Sequence, residues 1–291
     1  MFPPQFDYYR ATSVEEALDL LAEHADAETE LLAGGHSLIP TMKSGLASPD
    51  VLVDLGGIES LRGIERGDGV TTIGAMTPYV DVATDEGLLA DAPVFAEAAQ
   101  AVGDIQVRNR GTVGGNLSHA DPASDLPGAA LAADVTLVLQ GPDGERTVPV
   151  DDFFLGMFTT DVGEDELVTR VEVPHQPMGA TGTYLKKPSP SSGYAMVGAA
   201  VALETDDGTI AGARVAANGA FDHARRLEAV EDALEGEPLD PEAAAAAGDH
   251  ATDGVEDWEL MSDLQASGEF RANLLRVYTG RAIAAAVERA A

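Results

Sequence analysis

Near the start of the chain, Ala17, Leu18, Leu21 and Ala22 recur at helical spacing. They follow Ser13-Val14-Glu15-Glu16, which reads as a capping box with Ser13 as the cap and Glu16 reaching back. Short apolar runs bounded by glycine come next and predict strands at 29–33, 51–55 and 70–75. Residues 92–102 read as a helix ended by Gly103. The segments 135–139 and 146–150 flank Pro142-Asp143-Gly144 and predict a hairpin, and 167–173 is a further strand stopped by Pro174. The pattern then changes. Segments 181–186, 194–204 and 209–217 predict a strand meander, with a turn at Asp206-Asp207-Gly208. Helices are expected at about 226–234, 241–247 and 269–288, the alanine run 243–247 being helical by propensity. Strands followed by helices give an α+β class, with a boundary near 174–180 and no repeat of fixed period.

Charge narrows the possible functions. The 291 residues hold 17 Lys+Arg against 50 Asp+Glu, a net charge of −33. A nucleic-acid binder needs clustered cations, and an anionic membrane would repel this chain. The carboxylates are dispersed, lysine occurs only as Lys43, Lys186 and Lys187, and aromatics are 5%. That pattern resembles proteins of salt-accumulating halophiles, where high ionic strength screens self-repulsion. The apolar share of 45% is enough for a sizeable core. There is no cysteine, so the chain has no thiolate zinc site, cysteine-ligated cluster, disulfide or catalytic thiol. The opening MFPPQFDYYR lacks the apolar core of a secretory signal, and no apolar run approaches the ~18 residues of a membrane span, so a cytoplasmic location is expected.

Two glycine-rich loops carry the candidate chemistry: Ala33-Gly34-Gly35-His36-Ser37, and Gly111-Thr112-Val113-Gly114-Gly115-Asn116. Neither has the spacing of a dinucleotide fingerprint or a phosphate-binding loop with its lysine. Adjacent glycines still allow positive φ, so that several N–H groups can converge on an anion without a cationic side chain. Ser37, Thr112 and Asn116 add side-chain donors. Two such nests could grip one pyrophosphate from both sides; each alone is also readable as a tight turn.

The run Leu31–Pro40 around the first loop, the run Ile105–Leu117 around the second and its continuation His119-Ala120-Asp121-Pro122-Ala123-Ser124-Asp125-Leu126-Pro127 resemble the two flavin loops of the medium, FAD-binding subunits of molybdenum hydroxylases, with Ile73–Thr77 between them. The likeness is greatest to the medium subunit of aerobic carbon monoxide dehydrogenase, and xanthine dehydrogenase is similar to it in its flavin domain. It covers essentially the whole chain. The resemblance implies a two-subdomain FAD domain of the vanillyl-alcohol-oxidase type over 1–176, with parts at about 1–56 and 57–176. A small α+β domain with a three-stranded antiparallel sheet and helices is implied for 177–291.

It further implies that Ala33, Gly34, Gly35, His36 and Ser37, with Thr112, Val113, Gly114, Gly115 and Asn116, hold the FAD pyrophosphate through backbone N–H groups. Asp125 would contact the ribose or ribityl region. Val168 and Lys186 would lie near the ring system, with Lys187 as the neighbouring register. Tyr194 would cover one isoalloxazine face. Asp125 could otherwise cap a helix, Lys186 could be a solvated strand residue, Tyr194 could be a core aromatic and His36 a plain loop residue. The grouping of His119, Asp121 and Asp125 looks like metal ligands, but the resemblance accounts for it without a metal. Arg108 and Arg110 could serve the flavin pocket or a partner.

In this family electrons pass from a large molybdenum-cofactor chain, through a small chain with two iron–sulfur clusters, to FAD and then to an external acceptor such as NAD or a quinone. The missing cysteines agree with that division, because the clusters must then sit elsewhere. By analogy the three chains would form a doubled heterotrimer. The alternatives are an autonomous FAD oxidoreductase acting on a small molecule, or a scaffold that has lost its cofactor. Gly34→Val and Gly114→Val are expected to lose FAD by blocking the nest.

Overall fold

The computed structural model describes residues 2–175 and 181–290, so part of the boundary expected at 174–180 lies outside the described residues. Its sheets have three, five and four strands, with a separate two-stranded ribbon.

The first sheet is parallel. It contains β1 (Asp7–Arg10), β2 (Thr29–Leu32) and β3 (Val51–Asp54), in the order β1-β3-β2. Helix α1 (Val14–Glu23) links β1 to β2, and α2 (Leu38–Ser44) links β2 to β3. The middle strand β3 is the buried one, as Val51-Leu52-Val53 suggests. At the start of α1, Ser13 Oγ accepts from the Glu16 N–H at 3.1 Å. The Glu16 carboxylate does not close the expected box on Ser13. It reaches one residue further, to the N–H of Thr12 at 2.8 Å and to the Thr12 hydroxyl at 2.6 Å.

The second sheet is antiparallel. It begins with β4 (Ile64–Arg66) and β5 (Val70–Gly74). Six helices follow: α3 (Tyr79–Thr84), α4 (Glu86–Asp91), α5 (Pro93–Ala101), α6 (Ile105–Arg108), α7 (Val113–His119) and α8 (Asp125–Ala132). Strands β6 (Thr136–Gly141) and β7 (Gly144–Pro149) form the expected hairpin, with Gly144 at φ +115°. The ribbon β8 (Phe154–Gly156) and β9 (Thr159–Thr160) precedes β10 (Leu167–Pro174), which enters the middle of the order β4-β5-β10-β6-β7. The stretch read as a second glycine turn is therefore a loop running into a helix, since Gly114 and Gly115 lie inside α7.

The third sheet holds the expected meander, β11 (Thr181–Pro188), β12 (Ala195–Asp206) and β13 (Thr209–Asn218). A two-residue strand β14 (Arg225–Arg226) adds a fourth at its edge. Asp207 and Gly208, both at positive φ, make the two-residue turn between β12 and β13. Helices α9 (Glu228–Leu234), α10 (Pro241–Ala245) and α11 (Gly268–Ala290) complete the chain. This sheet is covered on both faces. Tyr184, Ala200 and Ala216 join the core that holds Phe95 and Leu126, while the alternating Ala199, Val201, Val215 and Ala217 pack with Leu275, Ile283 and Val287 of α11. Burial on both faces explains why these strands read as nearly continuous apolar runs. The start of α11 is anchored by buried Arg271, which donates to the Gly219 carbonyl at 2.7 Å and to Asp263 at 2.6 Å.

Candidate functional site

The two glycine loops, some 80 residues apart in sequence, meet in the fold. A Cβ on Gly34 would lie 2.3 Å from the Arg110 carbonyl oxygen and 2.8 Å from Gly111 Cα. A Cβ on Gly115 would lie 2.7 Å from Thr112 Oγ1 and 3.0 Å from the Ala33 Cβ. Backbone is thus pressed on backbone, which only glycine at position 34 permits. The loops wall a groove of about 560 Å³, within the usual range for a cofactor site.

Ala33, Gly34, Gly35, His36 and Ser37 line the groove on one side, and Thr112, Gly114, Gly115 and Asn116 on the other, with Val168 at its floor. Val168 is brought there by a bulge in β10 between Val168 and Arg170. The first loop leaves β2 and turns at Gly35, whose φ is +72°. Among the described residues, no N–H of Gly34, Gly35, His36 or Ser37 donates to a protein acceptor. These donors form a nest.

The second loop works differently from the sequence reading. Of the loop glycines at 34, 35, 114 and 115, only Gly35 has positive φ. The N–H groups of Val113 and Gly114 donate to the Thr77 carbonyl at 3.1 Å and the Ala75 carbonyl at 2.8 Å, and that of Asn116 donates to Thr112 at 3.0 Å. Val113 is fully buried and lies off the groove. A Cβ on Gly114 would strike the Ala75 Cβ at 2.5 Å, so a branched side chain there would separate α7 from β5 rather than fill a nest. The Asn116 side chain is also committed: Nδ2 donates to the Tyr79 hydroxyl at 2.8 Å, and Oδ1 accepts from Ser124 at 2.8 Å. What this loop leaves open is Thr112. Its Oγ1 is buried without a partner, although Thr112 lines the groove at the head of α7.

Asp125, Lys186 and Tyr194 are not on the lining. Asp125 is 3% exposed at the start of α8. It accepts from the Tyr184 hydroxyl at 2.6 Å and from Lys186 Nζ at 2.8 Å. Tyr184 and Lys186 alternate on β11, so they share one face of the strand. Lys186 Nζ also donates to the Gly193 carbonyl at 2.9 Å, which ties down the turn that presents Tyr194. Tyr194 in turn makes a polar contact with the Ser37 side chain. Burial pushes the Asp125 carboxyl up, against the opposing pull of Lys186 and Tyr184. The neighbouring lysine, Lys187, makes no such pair among the described residues.

Two further residues lie on the lining, Tyr79, which carried no signal in the sequence, and His119, which stood out there only in a metal-like grouping. Tyr79 roofs Gly111, whose Cβ would lie 2.3 Å from its ring, and burial raises its hydroxyl pKa. His119 faces the groove with its ring 5.1 Å from that of Phe158. Burial lowers the His119 pKa, opposed by Asp121. Among the described residues no cluster of side chains fits a metal ion.

Comparison with known proteins gives the family. The model for the FAD binding domain in molybdopterin dehydrogenase matches residues 4–176, and that for the CO dehydrogenase flavoprotein C-terminal domain matches 183–286. The chain belongs to the FAD-binding medium-subunit family of carbon monoxide dehydrogenase. It is 37% identical to the carbon monoxide dehydrogenase medium chain of Hydrogenophaga pseudoflava, over 100% of both chains. It is 35% identical to the glyceraldehyde dehydrogenase medium chain of Sulfolobus acidocaldarius, over 97% of this chain and 98% of that one. A solved carbon monoxide dehydrogenase from H. pseudoflava, in a form lacking the Mo-pyranopterin moiety, matches with a TM-score of 0.94 at 38% identity over 100% of both chains. As a member of this family the chain is an FAD-binding oxidoreductase subunit. The groove fits that cofactor, because the first loop's free N–H groups and the orphaned Thr112 hydroxyl are donors awaiting an acceptor-rich group.

Proposed function

We propose that this chain is the electron-transferring FAD subunit of a molybdenum hydroxylase complex. Its partners would be a large molybdenum-cofactor chain and a small iron–sulfur chain, in a cytoplasmic assembly that passes electrons to an external acceptor. Residues 1–176 would seat the cofactor and 177–291 would cover it. The observation that carries the reading is the interlock of Gly34 with Arg110–Gly111, because it sets two donor-bearing loops on one groove. An FAD diphosphate would take the N–H groups of Gly34–Ser37 on one side and the Thr112 hydroxyl on the other. Bound FAD supplies a carrier that accepts electrons singly and releases them as a pair. The protein's part is to bind, orient and shield it. Tyr79 and Met76 close the groove on the side of the second sheet, and Tyr194 stands at the first loop.

The two relatives named above act on different substrates, by their names, at 37% and 35% identity. The substrate of the complex would accordingly be set by the large chain. The site test is Thr112→Val, which keeps the side-chain shape and removes the orphaned hydroxyl. Losing one hydrogen bond to a charged acceptor corresponds to about a tenfold or greater rise in the dissociation constant for FAD. The melting temperature of the FAD-free protein should hold or rise. Unchanged FAD affinity would remove Thr112 from the seat, and turnover of a small substrate by the isolated chain would favour an autonomous oxidoreductase.

A further inference from the structure

The ribbon β8–β9 ends in an exposed apolar tip. Leu155 is 59% exposed, Met157 49% and Phe158 53%. Phe153 and Phe154, at the root of the ribbon, are buried edge to face. The tip is held in an unfavourable backbone conformation. Phe158 has φ +53°, in the left-handed region that a bulky residue rarely enters. Its N–H donates at 3.3 Å to the carbonyl of Ala120, itself at φ +47°. That bond pins the tip to the end of α7 and sets the Phe158 ring 5.1 Å from the His119 ring, tilted by 45°. A glycine at 158 would make the same turn without strain, so the turn alone does not require the ring.

Both rings line the groove. His119 makes no hydrogen bond or ion pair among the described residues, so its imidazole has a donor and an acceptor to offer. Helix α7 carries the lining about 10 Å from Thr112 to His119. It packs on both β9 and β10, and Phe158 opens the stretch of lining that ends at Val168, the residue expected beside the ring system. The pair therefore stands beyond the diphosphate seat, where a second flat molecule could approach a cofactor ring. The surroundings are apolar and negative. Among the described residues no lysine or arginine lines the groove, while Glu164 and Glu166 do. Arg146, which reaches the loop after the ribbon, is taken by Asp161 at 2.6 Å and Glu166 at 2.7 Å. A dinucleotide acceptor would bring a second diphosphate, and the donors of the first loop and Thr112 are committed to the cofactor's own. An uncharged ring meets none of that repulsion and gains stacking on Phe158.

We infer that the tip of β8–β9 and His119 form the platform on which the external electron acceptor docks, and that this acceptor is an uncharged ring of the quinone class rather than a nicotinamide dinucleotide. The inference rests on the function proposed above and deepens it by naming the acceptor's chemistry and its seat. Phe158 and Met157 flank the ring, and the His119 N–H donates to one of its carbonyl oxygens. The exchange balances without a further reactant: the quinone takes two electrons and two protons from the reduced cofactor and leaves as the hydroquinone.

The test uses the full-length protein saturated with FAD and a water-soluble dimethoxy-methyl-benzoquinone, with dissociation constants read by calorimetry. Phe158→Gly should raise the quinone dissociation constant about tenfold or more, the loss of one stacked ring. Its melting temperature should hold or rise, because the left-handed backbone suits glycine. Met157→Ser, off the groove lining, should weaken quinone binding in the same direction and provides a second variant if the first unfolds. Leu264→Ser, at an exposed leucine outside the ribbon, should leave it unchanged. NAD should not compete for the site. Unchanged quinone affinity in the folded, FAD-saturated variants would overturn the inference. So would displacement of the quinone by NAD, or a wild-type protein that holds FAD and binds no quinone. Release of a co-purifying protein chain by Phe158→Gly, with quinone affinity intact, would make the tip a subunit contact and equally overturn it. A protein that takes up no FAD would defeat the functional reading itself, an outcome separable from failure of the platform.

Discussion

Gly34 shows what one absent side chain does in this protein. Its Cα hydrogen side is filled by the Arg110 carbonyl, so any Cβ would force the two loops apart. Gly34→Ala should therefore lower both FAD affinity and the melting temperature, unlike Thr112→Val, which touches only the donor. His119 offers a pH probe at the same scale. Burial holds its pKa below the ordinary 6.5, so the fold favours the neutral ring. Its stabilising contribution is fully present above 6.5, the unfolded value, and is lost as pH falls through the window below it. In an NMR titration the His119 ring should titrate below that of an exposed histidine, and His119→Gln should flatten the fall in stability as pH drops below 6.5. A His119 resonance titrating above 6.5 would contradict the assigned burial.

At the scale of elements, the clasp between α8 and β11 matters most. Asp125 is held by Tyr184 and Lys186, whose ammonium also holds the Tyr194 turn. Removing one member of a buried pair strands the other, typically at about 3–5 kcal/mol. Lys186→Met should therefore destabilise strongly in thermal melts, and Asp125→Asn in the same chain should recover most of the loss. An unchanged melting point for Lys186→Met would mean that the pair is not formed. Little of this was legible in advance. Strands β6, β7 and β10–β13 were readable because their apolar runs are bounded by Pro142-Asp143-Gly144, Pro174 and Asp207-Gly208, whereas β4 and β14, of three and two residues, were not. Helices α7 and α8 were hidden, because Gly114-Gly115 and Pro127 depress helix propensity and tertiary packing overrides it. The loops were visible as paired glycines. Their interlock, the bonding of Val113 and Gly114 to Thr77 and Ala75, and the Asp125–Lys186 pair were not, because these contacts join residues far apart in the chain.

At the scale of the whole molecule, charge and topology act together. The groove is lined by residues between Leu21 and Val168, from the first two sheets and the helices and loops around them, in a molecule of net charge −33. We propose that the acidity is an adaptation to high salt. The melting temperature should then climb as KCl is raised from millimolar to molar, beyond the point where ordinary screening saturates at a Debye length of about 3 Å. A flat profile would assign the charge to solubility alone. Among the described residues no helix is long and apolar enough to cross a membrane. The central claim is that one FAD diphosphate lies between the interlocked loops. A crystal structure of the FAD complex tests it most directly. The account predicts diphosphate density within hydrogen-bonding distance of the Gly35 and His36 N–H groups and of Thr112 Oγ1; density for the diphosphate outside the Gly34–Gly115 groove would contradict it.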